Sequence, residues 1–132
     1  MKKIVVIGGG TMGLVNAQVA KAFGARVIVS DISQKKIKRA QEMGVDVVDA
    51  KNNDPVEAVK DLTNGKGADI VMFGHTHIPV IDYDDDIIAL NPGSLSHPRQ
   101  EGHQPSYILM EIDKTGQAHF SIHFLKKNEK GC

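Results

Sequence analysis

The sequence contains few of the residues that mark several common classes of protein. Its 132 residues include one cysteine, Cys132, so it has neither a disulfide framework nor a cysteine-rich zinc site. The 16 basic and 16 acidic residues cancel, so it lacks the positive excess typical of proteins that bind nucleic acid or membrane surfaces. No apolar run is long enough to span a membrane. We therefore expect a soluble, cytoplasmic protein that binds neither nucleic acid nor membranes.

The first half of the chain alternates short apolar runs with segments of helical periodicity, a pattern typical of βαβ units and a parallel sheet. It predicts strands at residues 3–7, 26–30, 46–48 and 69–73. Helices are predicted after the glycines at 8–13, over 33–43, and from Asp54 to just before Asn64. On one face the first helix carries Met12, Val15, Val19 and Ala22. A right-handed sheet of this kind has the strand order 3-2-1-4.

After Gly74 the pattern changes to consecutive strands without helices, predicted at residues 80–83, 87–90, 107–112 and 117–125. Turn residues between them predict antiparallel hairpins. The acidic run Asp82 to Asp86 could attract a cation, although a solvated hairpin turn also explains it. The long connection at 91–106 should be either functional or mobile. The sequence thus predicts a single α/β domain over residues 1–132, a parallel βαβαβαβ layer that continues into C-terminal antiparallel hairpins.

Gly8, Gly10 and Gly13 form a G-x-G-x-x-G loop between the first strand and the first helix. In such a loop the backbone N–H groups and the helix N-terminus can face a pyrophosphate. Asp31, at the end of the second strand, can accept both hydrogen bonds of an adenosine ribose and would repel a 2′-phosphate. The alternative interpretation is that the glycines only permit a tight turn and that Asp31 only caps a helix.

From Lys2 to Val71 the chain resembles the Rossmann-like cofactor domain of zinc-type, medium-chain alcohol and polyol dehydrogenases. The resemblance is carried by the glycine loop, Val27-Ile28-Val29-Ser30-Asp31, Lys36, Glu42-Met43-Gly44 and the run from Thr63 to Asp69. It implies that the cofactor is NAD rather than NADP, with Asp31 and Lys36 at the adenosine ribose. It also implies that the pyrophosphate is bound by Gly8, Gly10, Thr11, Met12 and Gly13. No segment resembles the catalytic domain of that family, so no catalytic residue is predicted.

From about Ala68 to Leu125 the chain resembles the C-terminal part of small calcineurin-like metallophosphoesterases of the bacterial and archaeal phosphodiesterase type. This resemblance is carried by Gly74-His75-Thr76-His77, Asn91-Pro92-Gly93-Ser94, Pro98-Arg99 and Ser106-Tyr107. It implies that His75 and His77 bind a divalent metal such as manganese, nickel or zinc, which activates water for attack on a phosphoryl group. The other metal-ligand segments of that family are missing, and two ligands make a weak site. The alternative is a histidine turn that only packs and hydrogen-bonds.

Taken together, the two resemblances suggest a hybrid of a dehydrogenase-like segment, residues 1–71, and a metallophosphoesterase-like segment, residues 72–132. On this hypothesis the chain is an engineered or recombined protein without an intact catalytic site, and it binds NAD, another nucleotide, phosphate or metal weakly at most. The alternatives are an NAD-binding module of a dehydrogenase, a metal-dependent phosphodiesterase or phosphatase, and a metal-free interaction scaffold. A homo-oligomer remains open. Since parallel strands end at one edge, the glycine loop, Asp31 and both histidines should line one crevice.

Overall fold

The predicted elements are present in this computed structural model, which describes residues 2–74, 76–84 and 86–126. In chain order they are β1 (Lys3–Ile7), α1 (Thr11–Ala22), β2 (Arg26–Asp31), α2 (Gln34–Glu42), β3 (Asp46–Asp49), α3 (Pro55–Leu62), β4 (Ile70–Met72), β5 (Pro79–Tyr83), β6 (Ile88–Pro92), β7 (Ser106–Ile112) and β8 (Ala118–Phe124). The predicted α/β class, a parallel layer followed by antiparallel hairpins, is confirmed.

Within the described residues, six strands form one sheet in the order β3-β2-β1-β4-β6-β5. The first four run parallel in the predicted order. β6 then pairs with β4 in parallel, and β5 runs antiparallel along β6 at the edge. β7 and β8 pair with each other as a separate antiparallel sheet. The parallel pairing of β6 was not predicted, because it depends on contacts between distant residues that local patterns do not encode.

The centre of the main sheet is buried on both faces. In β1, Ile4 and Val6 pack on the side of α1, whereas Val5 packs on the side of α3. The hairpin of β7 and β8 covers the α1 side further along the sheet, where Ile108 and Phe120 join the same core. Burial on two faces explains why the central strands are nearly continuous apolar runs rather than alternating ones.

The face that α1 turns toward the sheet is not the apolar face identified from the sequence. Leu14, Ala17 and Ala20 are buried, while Met12 and Val19 are 71% and 49% exposed. Both sides of this helix are apolar, so periodicity alone could not distinguish them. Two of the three buried residues are alanines, which allow the helix to lie close to the strands.

The helix ends follow from their sequences. Ser33 caps α2 and Asp54 caps α3, where the Asp54 carboxylate accepts from the N–H of Val56 at 2.9 Å. Gly24 and Gly44 follow α1 and α2 with φ angles of 88° and 78°, in the left-handed region where glycine is favoured. Within the described ranges, none of the helices has the length and apolar content needed to cross a bilayer.

Buried polar side chains hold the connection between β6 and β7 to the sheet. Asn91 is fully buried; its amide donates to Thr76 Oγ1 at 2.9 Å and to the carbonyl of Gly74 at 3.4 Å. Its Oδ1 accepts from the N–H of Gly93 at 2.9 Å. The hydroxyl of Ser106, the first residue of β7, is also buried and donates to the carbonyl of Pro92, the last residue of β6, at 2.8 Å. These bonds hold both ends of the connection in place.

We expect Asn91→Ala to destabilise the fold, because it removes three hydrogen bonds and leaves the Gly93 N–H without its acceptor. At about 0.5–1.5 kcal/mol for each bond, the free energy of unfolding should fall by roughly 2–4 kcal/mol. Asn53→Ala is the matched control, since Asn53 is exposed and its amide donates one bond, to Asp49 O. Urea denaturation measures both variants, and equal losses of stability would contradict the expected role of Asn91.

Candidate functional site

The glycine loop, residues 8–13, leads directly from β1 into α1. Gly8 has a φ angle of 105°, and its N–H donates to the carbonyl of Ser30 at 2.8 Å. A Cβ at Gly13 would lie only 1.9 Å from the carbonyl oxygen of Gly8. The first turn of α1 therefore approaches the end of β1 so closely that only glycine fits at position 13.

Gly10 leaves the start of α1 open. It is the N-cap residue of the helix, no side chain caps the helix there, and a Cβ at Gly10 would meet no protein atom within 4 Å. The N–H groups of Thr11, Met12 and Gly13, in the first turn, have no acceptor within the helix. This uncovered backbone, at the positive end of the helix dipole, fits an anionic group such as a pyrophosphate.

Asp31 lies at the end of β2 and is bound to the glycine loop. Its Oδ2 accepts from the N–H of Gly9 at 2.6 Å, and its Oδ1 accepts from the N–H of Ser33 at 2.8 Å. Burial raises the pKa of Asp31, but these hydrogen bonds and the charge of Lys36 outweigh it and hold the pKa below its ordinary value. Asp31 is therefore a carboxylate at neutral pH. The N-cap of α2 is Ser33, and Asp31 instead joins the glycine loop to this capping residue.

Lys36, in the first turn of α2, borders the same loop. A Cβ at Gly9 would lie 3.3 Å from the Cβ of Lys36. The lysine side chain is exposed, and its positive charge acts on the Asp31 carboxylate through space. The two residues predicted for the adenosine ribose are thus neighbours of each other and of the glycine loop.

A cavity of about 1110 Å³ lies at the carboxyl ends of β1 and β4 and extends between α1 and the β7–β8 hairpin. The glycine loop residues Gly8, Gly10 and Met12 line it together with His77. The structure therefore brings the glycine loop and His77 to one crevice. Asp31 does not line this cavity, because it lies on the other side of the loop, against Gly9.

The two histidines predicted as metal ligands are only partly described. His75 lies outside the described residues. His77 has a φ angle of 57°, and its Nδ1 lies 2.9 Å from the carbonyl oxygen of His97. In the part of the chain that the structure describes, no group of three or more His, Cys, Asp or Glu side chains could hold a metal ion. The described residues therefore do not fit a metal centre, and the metal role of His75 and His77 stays a prediction.

In the acidic run, Asp82 lies within β5, and Asp84 and Asp86 lie between β5 and β6. The N–H of Asp84 donates to the carbonyl of Ile87 at 2.9 Å, and Asp82 and Asp86 are exposed. Asp85 lies outside the described residues. The described geometry is that of the solvated hairpin turn.

Three polar residues at this edge were not predicted as site residues. Asn91 joins the 74–77 turn to the loop after β6, and Ser94 and Ser96 line the cavity. The Asn91-Pro92-Gly93-Ser94 run entered the sequence analysis only as part of the metallophosphoesterase resemblance and within the long connection at 91–106. Their place beside the glycine loop follows from the parallel pairing of β6 with β4, which was not predicted.

Comparison with known proteins gives a continuous family match. The family model described as zinc-binding dehydrogenase matches residues 11–82. The matched range is more than half of the chain and begins at the first residue of α1. It passes through the 74–77 turn and ends within β5.

Individual relatives agree with this match. The chain is 39% identical over 88 residues to the sorbitol dehydrogenase of Halalkalibacterium halodurans, covering 64% of this chain and 26% of that protein. It is 42% identical over 74 residues to the NAD-dependent alcohol dehydrogenase of Sulfurisphaera tokodaii, covering 54% and 21%. A putative alcohol dehydrogenase structure from Thermotoga maritima is 40% identical, with a TM-score of 0.51 and coverage of 54% and 18%. The chain thus spans about a quarter or less of the length of these relatives.

These matches contradict the hybrid hypothesis. The family match continues for eleven residues beyond the predicted junction at residue 71, and it includes the Gly74-His75-Thr76-His77 turn. The relatives named above are all dehydrogenases, and none supports a metallophosphoesterase half or a recombined chain. The hypothesis was wrong because it gave a few short motifs more weight than the continuous similarity that runs through the first of them.

We expect Asp31→Asn to destabilise the protein at neutral pH and to have little effect in acid. The lowered pKa of Asp31 means that its carboxylate stabilises the folded state above the unfolded pKa of about 3.9. That contribution is lost as the pH falls through the folded pKa, because protonated Asp31 can no longer accept from both N–H groups as a carboxylate does. The difference in unfolding free energy between wild type and variant should therefore shrink below about pH 4.

Urea denaturation at a series of pH values measures this difference. Asp82→Asn, at an exposed position of strand β5, serves as the control for the loss of one carboxylate. The free energies of unfolding of wild type and Asp31→Asn are compared from neutral pH down to pH 2. If their difference stays constant over this range, the charge of Asp31 is not what stabilises the loop.

Proposed function

This chain belongs to the zinc-binding dehydrogenase family, and on that basis we propose that it is an NAD-binding module of a dehydrogenase. The observation that carries the proposal is the hydrogen bond of 2.6 Å between the Gly9 N–H and Asp31. This bond fixes the glycine loop, which suits a pyrophosphate, next to the Asp31 carboxylate, which suits a ribose. The similarity to an NAD-dependent alcohol dehydrogenase supports the same cofactor.

In this proposal the pyrophosphate faces the backbone N–H groups of Gly10, Thr11, Met12 and Gly13. Gly8, whose own N–H donates to the carbonyl of Ser30, forms the turn that leads into them. The dipole of α1, twelve residues long, adds attraction for the anion. The space in front of Gly10, where even a Cβ would meet no protein atom, lets the phosphate oxygens approach the backbone.

Asp31 accepts hydrogen bonds from the two hydroxyl groups of the adenosine ribose. Each of its carboxylate oxygens takes one backbone hydrogen bond and keeps a further lone pair for the ligand. A 2′-phosphate would place negative charge against this carboxylate, so NAD is preferred to NADP. Lys36 lies beside the ribose position and offsets part of the charge of the bound phosphates.

The proposal concerns cofactor binding rather than turnover. Bound NAD supplies a nicotinamide that can accept a hydride, and this chain's own described residues hold the adenosine and the pyrophosphate. Zinc does not fit the described residues, which offer no group of three metal-binding side chains. A substrate is therefore not assigned to this chain.

We expect wild-type protein to bind NAD more tightly than NADP in calorimetric titrations, and Asp31→Ala to weaken NAD binding by roughly 10- to 100-fold. That range corresponds to hydrogen bonds with a charged acceptor, which contribute about 1.5–3 kcal/mol. The preference for NAD over NADP should narrow in the same variant, because the repulsion of the 2′-phosphate is removed.

Gly10→Ala gives an independent test of the loop. The added methyl group meets no protein atom, so the fold should be retained, but it occupies the space through which a phosphate approaches. NAD affinity should fall while the urea midpoint stays near that of wild type. Asp82→Ala is the control for both variants, since Asp82 lies on β5, the edge strand. The proposed site is ruled out if NAD does not bind the wild-type protein at millimolar concentration. It is also ruled out if NAD binds Asp31→Ala as tightly as wild type.

A further inference from the structure

A second cavity, of about 720 Å³, lies at the amino ends of β1 and β4, at the edge of the sheet opposite the glycine loop. We call it the amino-end cavity. It opens between the C-terminal part of α1 and the turn of the β7–β8 hairpin. Where it adjoins the larger cavity, the two share Ala20, Phe23, Met110 and Ile112. Its volume falls within the range of about 300–1,000 Å³ that is usual for small-molecule sites, and none of the residues proposed to hold NAD lines it.

Apolar side chains form the floor and two walls of the amino-end cavity. Ile4 and Ile70 are paired across β1 and β4, and both are buried on the α1 side of the sheet. Phe23, at the end of α1, and Ile112, at the end of β7, belong to opposite walls and are 69% and 46% exposed. An apolar molecule between the walls would cover hydrophobic surface that the described chain leaves in contact with water.

The charged residues that line the amino-end cavity are Lys2, Lys3 and Asp69. Lys3 and Asp69 pair with each other: Lys3 Nζ lies 3.3 Å from Asp69 Oδ2, which also accepts from the Lys3 N–H at 2.7 Å. Burial raises the pKa of Asp69, but its hydrogen bonds with Lys3 and the charges of Lys3 and Lys2 outweigh it and hold the pKa below its ordinary value. Asp69 is therefore a carboxylate at neutral pH, and Lys3 balances its charge.

Lys2 leaves one positive charge unbalanced beside the cavity. It is exposed, and its ammonium forms no hydrogen bond or ion pair within residues 2–74, 76–84 and 86–126. Its backbone is fixed, because the Lys2 carbonyl accepts from the N–H of Arg26 at 2.9 Å. The side chain of Arg26 is itself paired, with Asp46 at 3.1 Å. An anionic group that enters beside Lys2 therefore meets a positive charge with which no described carboxylate pairs.

We propose that the amino-end cavity binds a small monocarboxylate with an apolar, ring-containing body. The body lies between Phe23 and Ile112 over the floor of Ile4 and Ile70, and the carboxylate pairs with the Lys2 ammonium. The ring of Phe23 favours an aromatic body, because aromatic pairs attract each other beyond the effect of buried area. A single unpaired lysine favours a monoanion over a multiply charged phosphate. This inference is independent of the proposed NAD-binding function, since the two sites lie at opposite edges of the sheet.

The test uses phenylbutyrate, its amide and phenylbutylamine, which share one apolar body and differ in the charge of the head group. Each is titrated into the protein while the methyl resonances of Ile4, Ile70 and Ala118 are followed, because these residues line the amino-end cavity and not the larger one. We expect phenylbutyrate to bind wild type more tightly than the amide, and the amine to bind most weakly.

Lys2→Gln should weaken phenylbutyrate binding roughly two- to fivefold, as expected for the loss of one exposed ion pair, and should leave the affinity for the amide unchanged. Lys60→Gln is the matched control, because Lys60 is an exposed lysine on α3, which packs on the opposite face of the sheet. It should leave the affinity for all three probes as in wild type.

Phe23→Ala tests the apolar wall and should weaken all three probes roughly two- to tenfold, because each loses its contact with the ring. Since Phe23 is mostly exposed, the urea midpoint should change little. The control is Val56→Ala, which shortens an exposed apolar residue on α3. Sedimentation of wild type and Phe23→Ala, run in parallel, detects a second copy of the chain as the occupant of the cavity.

Each remaining result overturns the proposal. If phenylbutyrate at millimolar concentration shifts none of the three methyl resonances, the amino-end cavity is not a site for it. If the three probes bind equally, or if Lys2→Gln and Lys60→Gln have the same effect, the carboxylate is not recognised by Lys2. If wild type is a dimer that Phe23→Ala dissociates, a second copy covers the cavity and the small-molecule assignment is wrong.

Discussion

The close approach of α1 to the end of β1 is the constraint on which the site depends. Position 13 lies against the carbonyl oxygen of Gly8, at a distance that excludes any Cβ. Because the helix begins so near the strand, its free N–H groups emerge at the carboxyl edge of the sheet rather than above it. The same tight turn places Gly9 where its N–H reaches Asp31 on the next strand.

A similar hydrogen-bonded contact between neighbouring loops lies on the other side of β1. Asp31 ties the end of β2 to the loop after β1, and Asn91 ties the end of β6 to the turn after β4. In both cases one buried or half-buried polar side chain satisfies backbone groups of a neighbouring loop. The strands are positioned by apolar burial, whereas the loops at their ends are positioned by these few directional hydrogen bonds.

The sequence predicted what depends on neighbouring residues and missed what depends on distant ones. Strands, helices and the glycine loop follow from short patterns, and so does the order of the first four strands. The buried face of α1 was not predictable, since two apolar faces compete and only packing against the sheet selects Leu14, Ala17 and Ala20. The position of Ser94 and Ser96 was missed for a related reason: it requires β6 to pair with β4.

The strand order indicates a further effect of the acidic residues in the β5–β6 hairpin. β5 is the last strand of the main sheet, so one side of its backbone has no neighbouring strand among the described residues. Such an edge can recruit a strand from another molecule and begin aggregation. Pro79 at the start of β5 has no N–H to offer, and Asp82 places charge on the strand itself. Among the described residues, this open sheet edge therefore carries two features that disfavour pairing with a further strand.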